Sequence, residues 1–277
     1  IWTPGQGVDN RYWIPMWDDL NDKLITETIV RFDQKYKVLS NGTKAMERLN
    51  KDGTKTWHYK MTKPHASYLL MLGIGIYDIK EVKSKSGVPL KMYYYPEHNE
   101  RADLIYKHTA DIMNFFENEI GVPYPWESYS QIPVQDFMYG AMENTTATVF
   151  GDFFCADKRS FNDRNYVAVN AHEMAHQWFG DMVTARCEPH HWLQESFATH
   201  YNMLAEREFF GQDHFDWGRR NAQNSALDAD SKDLYPVASS KAGSTRFYPK
   251  GAIVLNTLKY VTGREEYNKA IKYYLLK

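Results

Sequence analysis

Over roughly the first 88 residues, apolar and polar positions alternate with a period of two, and turn dipeptides punctuate them. The run Leu-Ile-Thr-Glu-Thr-Ile-Val-Arg-Phe at residues 24–32 is rich in β-branched side chains, and Trp57, Tyr59 and Met61 alternate with polar neighbours. Asn41-Gly42 and Asp52-Gly53 are hairpin signals. Residues 68–77 predict a further apolar strand, and the polar stretch 84–89 reads as a linker.

Beyond residue 89 the period lengthens. Residues 90–95 predict a short strand; then Leu104, Ile105, Ile112, Phe115 and Phe116 fall at helical spacing between residues 99 and 120, closed by Gly121. Residues 131–150 read as two short strands around a turn at Gly140. Val167, Ala171, Met174, Ala175 and Trp178 give a helix with a core face, started by Ser160 or Asn162 with Asp163 in the first turn, and ended by Gly180. A second helix starts near Pro189, with Leu193, Phe197, Tyr201 and Leu204 on one face. The fold class predicted is α+β, a β-rich part over 1–88 and a mainly helical part over 89–277.

The first of those two helices carries the chemistry. His172, Glu173 and His176 stand in HExxH spacing, and Glu195 follows with eighteen residues between. Residues four apart on a helix share a face, so both imidazoles can reach one metal ion while Glu173 beside them faces a water. Glu195, in the first turns of the next helix, supplies a third ligand. Two histidines and a glutamate leave zinc one open position, the arrangement of a catalytic and not a structural site. Zinc can lower the pKa of a water from 15.7 to about 7, and Glu173 can take its proton during attack on a carbonyl. One Zn2+ and hydrolysis of an amide or ester are implied.

Composition narrows the class. The chain has 43% hydrophobic and 15% aromatic residues, which suits a folded protein, and its formal charge of -2 without a basic block argues against a nucleic-acid surface. No apolar run approaches the twenty or so residues needed to span a membrane. Cys155 and Cys187 are the two thiols; a single bridge is possible but unforced, and the redox compartment stays open. The start at Ile1, without methionine or signal peptide, suggests a mature product or an excised fragment, so localisation is not readable. Asn41-Gly42-Thr43 and Asn144-Thr145-Thr146 are glycosylation sequons, the second read as coincidental.

Gly140-Ala141-Met142-Glu143-Asn144, followed by HExxH and the distant glutamate, resembles the double signature of the gluzincin aminopeptidases, the aminopeptidase N and leukotriene A-four hydrolase group. The likeness extends through Val122-Pro123-Tyr124-Pro125-Trp126, His176-Gln177-Trp178-Phe179-Gly180 and Tyr248-Pro249-Lys250-Gly251, and covers essentially the whole chain. It implies a partial β-saddle domain over 1–88 and most of a thermolysin-like zinc peptidase domain over 89–277. The first part of the saddle and a C-terminal helical domain would be missing and would contact this chain. By the resemblance His172, His176 and Glu195 bind zinc, and Glu173 activates the water. Glu143 holds the free α-amino group of a peptide substrate, and Tyr248, at a helix entrance with Pro249 in the first turn, hydrogen-bonds the oxyanion. Gly140, Ala141 and Met142 lie beside an edge strand that can pair with an extended peptide. Gln6, counted back from Arg11, falls where the family has a second amine-side residue.

Departures from the pattern are Met174 in place of a leucine, Ser196 in place of a glycine after the third ligand, and Met16-Trp17-Asp18-Asp19 where relatives carry a cysteine-containing segment. None removes a catalytic group. The leading expectation is removal of N-terminal residues from peptides. The alternatives are an endopeptidase, a dual enzyme that also opens an epoxide, and a sluggish or inert zinc-binding scaffold.

Overall fold

The structure is a computed structural model that describes residues 1–277 apart from Pro4, Gln6 and Val8. Gln6, proposed on sequence as an amine-side residue, therefore lies outside the described residues. The chain divides into two compact units, one of residues 1–110 and 126–166, the other of residues 111–125 and 167–277.

The first unit is built of strands β1 (Trp2–Thr3), β2 (Lys23–Leu24), β3 (Glu27–Asp33), β4 (Lys37–Ser40), β5 (Thr43–Leu49), β6 (Thr54–Lys60), β7 (His65–Ala66) and β8 (Leu72–Gly75), followed by β9 (Asp78–Lys83), β10 (Pro89–Tyr94), β11 (Tyr129–Val134), β12 (Ala141–Met142) and β13 (Ala147–Gly151). They form the sheets β1-β8-β4, β3-β6-β5 and β12-β13-β11-β10-β9, and the pair β2-β7. The period-two pattern is realised in β3, where exposed and half-buried residues alternate and Val30 pairs with the buried Trp57 of β6. Asn41-Gly42 and Asp52-Gly53 make the turns before and after β5.

Several elements differ from the sequence expectation. Residues 68–77 are not one strand: Ser67–Leu69 is a 3-10 turn and only Leu72–Gly75 pairs. The Asn10 amide donates to the carbonyls of Ser67, Tyr68 and Leu70 at 3.0, 3.2 and 2.9 Å, and Asn41 Nδ2 donates to that of Leu69 at 2.8 Å. Side chains thus take acceptors that a ladder would have used. The stretch 84–89 is the turn of a hairpin joining antiparallel β9 and β10, closed by Ser84 N to Val88 O at 3.0 Å. Residues 131–150 hold parts of three strands: β11 and β13 are parallel neighbours, and β12 lies antiparallel on β13 at the sheet edge.

The predicted helix over 99–120 is also broken. It becomes a 3-10 turn at Pro96–Arg101, then α1 (Ala102–Ile105) and α2 (Thr109–Ile120). The core of the first unit gathers Leu39, Trp57, Leu69, Met71, Ile132 and Val149. Buried tyrosines there keep their hydroxyls satisfied, Tyr59 donating to Val38 O at 2.7 Å and Tyr77 to Pro133 O at 2.8 Å. Asn41 and Asn144 are 2% and 0% exposed, so neither sequon asparagine can carry a glycan in this fold.

The second unit holds most of α2 with α3 (Val167–His176), α4 (Trp192–Phe210), α5 (Gln212–Lys232), α6 (Gly251–Thr262) and α7 (Arg264–Leu276). Helix α3 starts at Val167, later than the expected cap, because Asp157 caps a turn of its own, its Oδ1 accepting from the amides of Arg159 and Ser160 at 2.9 Å. Ala171 and Ala175 of α3 and Ala198 of α4 are fully buried, and such small side chains let two packed helices approach closely. Phe179 stacks on Phe197 with centroids 4.6 Å apart, and Trp178 Nε1 donates to Val122 O at 3.1 Å. The end of α3 is thereby anchored in an aromatic core.

Two buried histidines make the fold acid-sensitive. Burial holds His65 near a pKa of about 4 and His200 near about 3, with Lys23 pushing the first the same way and Lys259 and Arg207 the second. The unfolded chain protonates these rings near 6.5. Stability is therefore complete above pH 6.5 and falls as pH drops towards 4, each ring contributing at most about 1.4 kcal/mol per pH unit. In denaturant melts between pH 7.5 and 4.5, His65→Gln should flatten the pH dependence relative to the unsubstituted chain.

Candidate metal centre

Helix α3 places His172 and His176 one turn apart, and α4 brings Glu195 against them. The three donor atoms form a nearly equilateral triangle. His172 Nε2 and His176 Nε2 are 3.0 Å apart, and Glu195 Oε2 lies 3.2 Å from the first and 3.3 Å from the second. A tetrahedral zinc with bonds of about 2.0–2.2 Å needs donors spaced about 3.3 Å apart. The triangle therefore fits such an ion.

The tautomer supports that fit. His176 Nδ1 lies 2.9 Å from the carbonyl oxygen of Phe179, an acceptor only, so Nδ1 carries a proton, and in the neutral ring the Nε2 lone pair then faces the triangle. Phe179 is fixed in turn by its stack on Phe197 and by a bridge to Val183. Burial pushes the Glu195 carboxyl up, but the charge of His176 and hydrogen bonds from His172, His176 and His191 outweigh it and hold the group well below the usual carboxylate range. It stays ionised, as a metal ligand must.

Glu173 follows His172 on α3 and is 6% exposed, and its carboxylate lies within 4.8 Å of a His176 ring nitrogen. Tyr248 reaches the same place from a different element. Its ring stacks on His172 with centroids 5.5 Å apart and planes 26° from parallel. The sequence expectation of a helix with Pro249 in its first turn is corrected: Arg246–Lys250 is a π-helical turn with Pro249 inside it, and α6 begins at Gly251. Pro249 lacks the amide that an α-turn would use, and the wider turn closes instead through the Gly251 amide to Arg246 O.

That turn is clamped on three sides. Arg246, 6% exposed, donates to the carbonyls of Ala242 and Ala229 at 3.0 Å and of Asp233 at 2.8 Å. Lys250 pairs with Asp230 at 2.7 Å, and Ser196 Oγ donates to Phe247 O at 2.6 Å. Ser196 fits only because residue 251 is glycine, since a Cβ built there would stand 1.8 Å from Ser196 Oγ. The neighbour of Glu195 thus touches the turn that presents Tyr248.

Gly140, Ala141, Met142 and Glu143 belong to the first unit. Gly140 takes φ +88°, which a side chain would resist, and turns the chain into edge strand β12. Glu143 follows β12 with 7% exposure, and the Tyr68 hydroxyl donates to its Oε1 at 3.3 Å. Asn41 Nδ2 ties the same loop down through Thr145 O at 2.7 Å. Cys155 and Cys187 are free thiols.

The residues that sequence reasoning missed are His191 and Thr199. His191 Nε2 lies 3.2 Å from Glu195 Oε1, the oxygen turned away from the triangle, and Thr199 Oγ1 lies 3.5 Å from His172 Nδ1. Each stands four residues from Glu195, Thr199 within α4 and His191 immediately before it, so helical spacing alone could have flagged them.

Two helices thus bring together two histidines and a buried glutamate that could hold a metal ion, and comparison with known proteins gives the family. The chain belongs to peptidase family M1: the model of the peptidase family M1 domain matches residues 105–277, and that of the M1 N-terminal domain matches residues 1–69. It is 28% identical over 288 residues to aminopeptidase M1-C of Oryza sativa subsp. japonica, covering 99% of this chain and 33% of that protein. It is 29% identical over 291 residues to leucyl aminopeptidase of Saccharolobus solfataricus, covering 100% and 37%. It is 28% identical over 295 residues to glutamyl aminopeptidase of Sus scrofa, covering 99% and 31%. The chain spans about a third of the length of these curated relatives. No helix among the described residues is long and apolar enough to cross a membrane.

The contact between residues 196 and 251 yields a compensation test. Gly251→Ala alone should destabilise the chain by about 1–3 kcal/mol through overpacking. Ser196→Gly removes the opposing atoms, so the double variant should recover most of that loss in thermal melts, a non-additivity expected only of touching residues.

Proposed function

We propose that this chain is the zinc-binding part of an aminopeptidase that removes the N-terminal residue of peptides. The observation that carries the reading is the donor triangle of His172 Nε2, His176 Nε2 and Glu195 Oε2. Zinc held there would lower the pKa of a water and polarise a carbonyl. Glu173 accepts the proton of the attacking water and returns it to the leaving amine; its low exposure keeps bulk water from competing and strengthens each charge interaction. Tyr248 donates its phenolic hydrogen to the developing oxyanion, a role worth about 10²–10³ in rate for comparable donors.

Glu143 holds the substrate's α-ammonium. A carboxylate with little exposure gives an amine a charge-assisted hydrogen bond and fixes the register at the first peptide bond. Gly140, Ala141 and Met142, at a sheet edge, offer backbone to an extended peptide. The names of the relatives, leucyl and glutamyl aminopeptidase among them, agree with this class of reaction and differ on the residue removed.

The test is zinc content measured with hydrolysis of aminoacyl reporter substrates. One zinc per chain, activity abolished by a chelator and restored by zinc, and loss of cleavage on acetylating the substrate amine are expected. Cleavage indifferent to acetylation would contradict the exopeptidase reading. Glu173→Gln should keep zinc while losing at least about 10² in turnover, and Tyr248→Phe should keep zinc and lose about 10²–10³. Unchanged turnover in both would point to a binding scaffold.

A further inference from the structure

The helices of the second unit gather a second cluster of charge. Arg207 of α4, Arg219 of α5, Lys259 of α6 and Arg264 of α7 line one cavity of about 570 Å³, with Asn256 and Phe215 also in its wall. The buried carboxylate of Glu119 answers two of the four cations, accepting from Lys259 at 2.5 Å and from Arg264 at 2.6 Å. Arg219 comes no nearer than 3.7 Å to Asp216. The guanidinium of Arg207 meets no acceptor among the described residues; it lies over the Phe215 ring, 5.3 Å from the centroid.

This excess of positive charge is felt most at Lys259, because the side chains of Arg219 and Arg264 are 37% and 70% exposed and partly screened by solvent. Lys259 has a side chain only 12% exposed, and burial pushes its ammonium below the usual lysine value. Glu119 pulls the other way, but Arg207 and Arg264 add to the depression. Like charges held together in a wall with too few carboxylates are a local conflict that an anion would relieve. The donor chemistry is specific as well. Guanidinium forks match the oxygens of phosphate and carboxylate, and Asn256 adds an amide with no hydrogen-bond partner among the described residues. The volume suits a small molecule.

We infer that the cavity between α4, α5, α6 and α7 is an oxyanion-binding site for a small phosphate- or carboxylate-bearing ligand. Arg207, which lies over Phe215, and Arg219, whose pair with Asp216 is long at 3.7 Å, are its forks, and Lys259 and Arg264 provide the background charge. Electrostatic recognition of this kind weakens with salt.

Calorimetric titration of the zinc-loaded chain with inorganic phosphate and, separately, with citrate tests it, at constant ionic strength set by chloride. Saturable one-site binding of at least one of the two is expected, and the stronger of them identifies the preferred oxyanion. Arg207→Ala and Arg219→Ala should each weaken binding by about tenfold or more, with Arg207→Lys keeping part of the affinity. Arg219 lies on α5 with only a long, half-exposed pair to Asp216, so its variant reads the site even if Arg207→Ala proves unstable in an anion-free melt. Absence of saturable heat with both anions would overturn the inference. Binding unchanged in the Arg219 variant would overturn it too, since the anion would then sit elsewhere, at the metal centre for instance.

Discussion

Two imidazole nitrogens and a carboxylate oxygen held 3.0–3.3 Å from one another impose the constraint from which the second unit is best understood. Hydrogen bonds among the three cannot satisfy them all. His176 Nε2 lies within reach of both His172 Nε2 and Glu195 Oε2, and a single proton on it can serve only one of them. A dication held there would resolve the conflict by taking a lone pair from each of the three atoms. The fold supplies the geometry by packing α3 against α4 through buried alanines, and fixes the rotamers through Phe179, Thr199 and His191. The supporting partners matter as much as the ligands, because they set which nitrogen and which oxygen face the ion.

The same helix that carries Glu195 also reaches the Tyr248 turn. Ser196 Oγ holds Phe247 O, Gly251 makes room for it, and Arg246 and Lys250 tie the turn to the end of α5. A π-turn is an uncommon local structure that needs outside support. Here the support comes from a buried arginine on three carbonyls, so the ring of Tyr248 is placed by hydrogen bonds and not by helix propensity.

Much of this was legible in the chain itself. The HExxH spacing, the helix starting near Pro189 and the glutamate in its first turns followed from helical periodicity, and the structure puts their side chains together. The α+β class followed from the switch of period. What could not be read were features decided by contacts distant in sequence. Asn10 and Asn41 take the carbonyls of residues 67–70 and shorten a strand that looked continuous, and the 84–89 stretch has the composition of a linker but the pairing of a hairpin. The turn around Pro249 depends on Ser196, some fifty positions away, and no local pattern contains that dependence. His191 is the opposite case, visible at four-residue spacing and overlooked because the motif seemed complete without it.

The central claim is that these three side chains, and no others, hold one zinc ion, and absorption at the zinc edge on the zinc-loaded chain addresses it directly. A shell of nitrogen and oxygen at about 2.0–2.2 Å, with the multiple-scattering signature of two imidazoles, is the predicted spectrum. Sulfur at about 2.3 Å, or fewer than two imidazoles, would contradict the account.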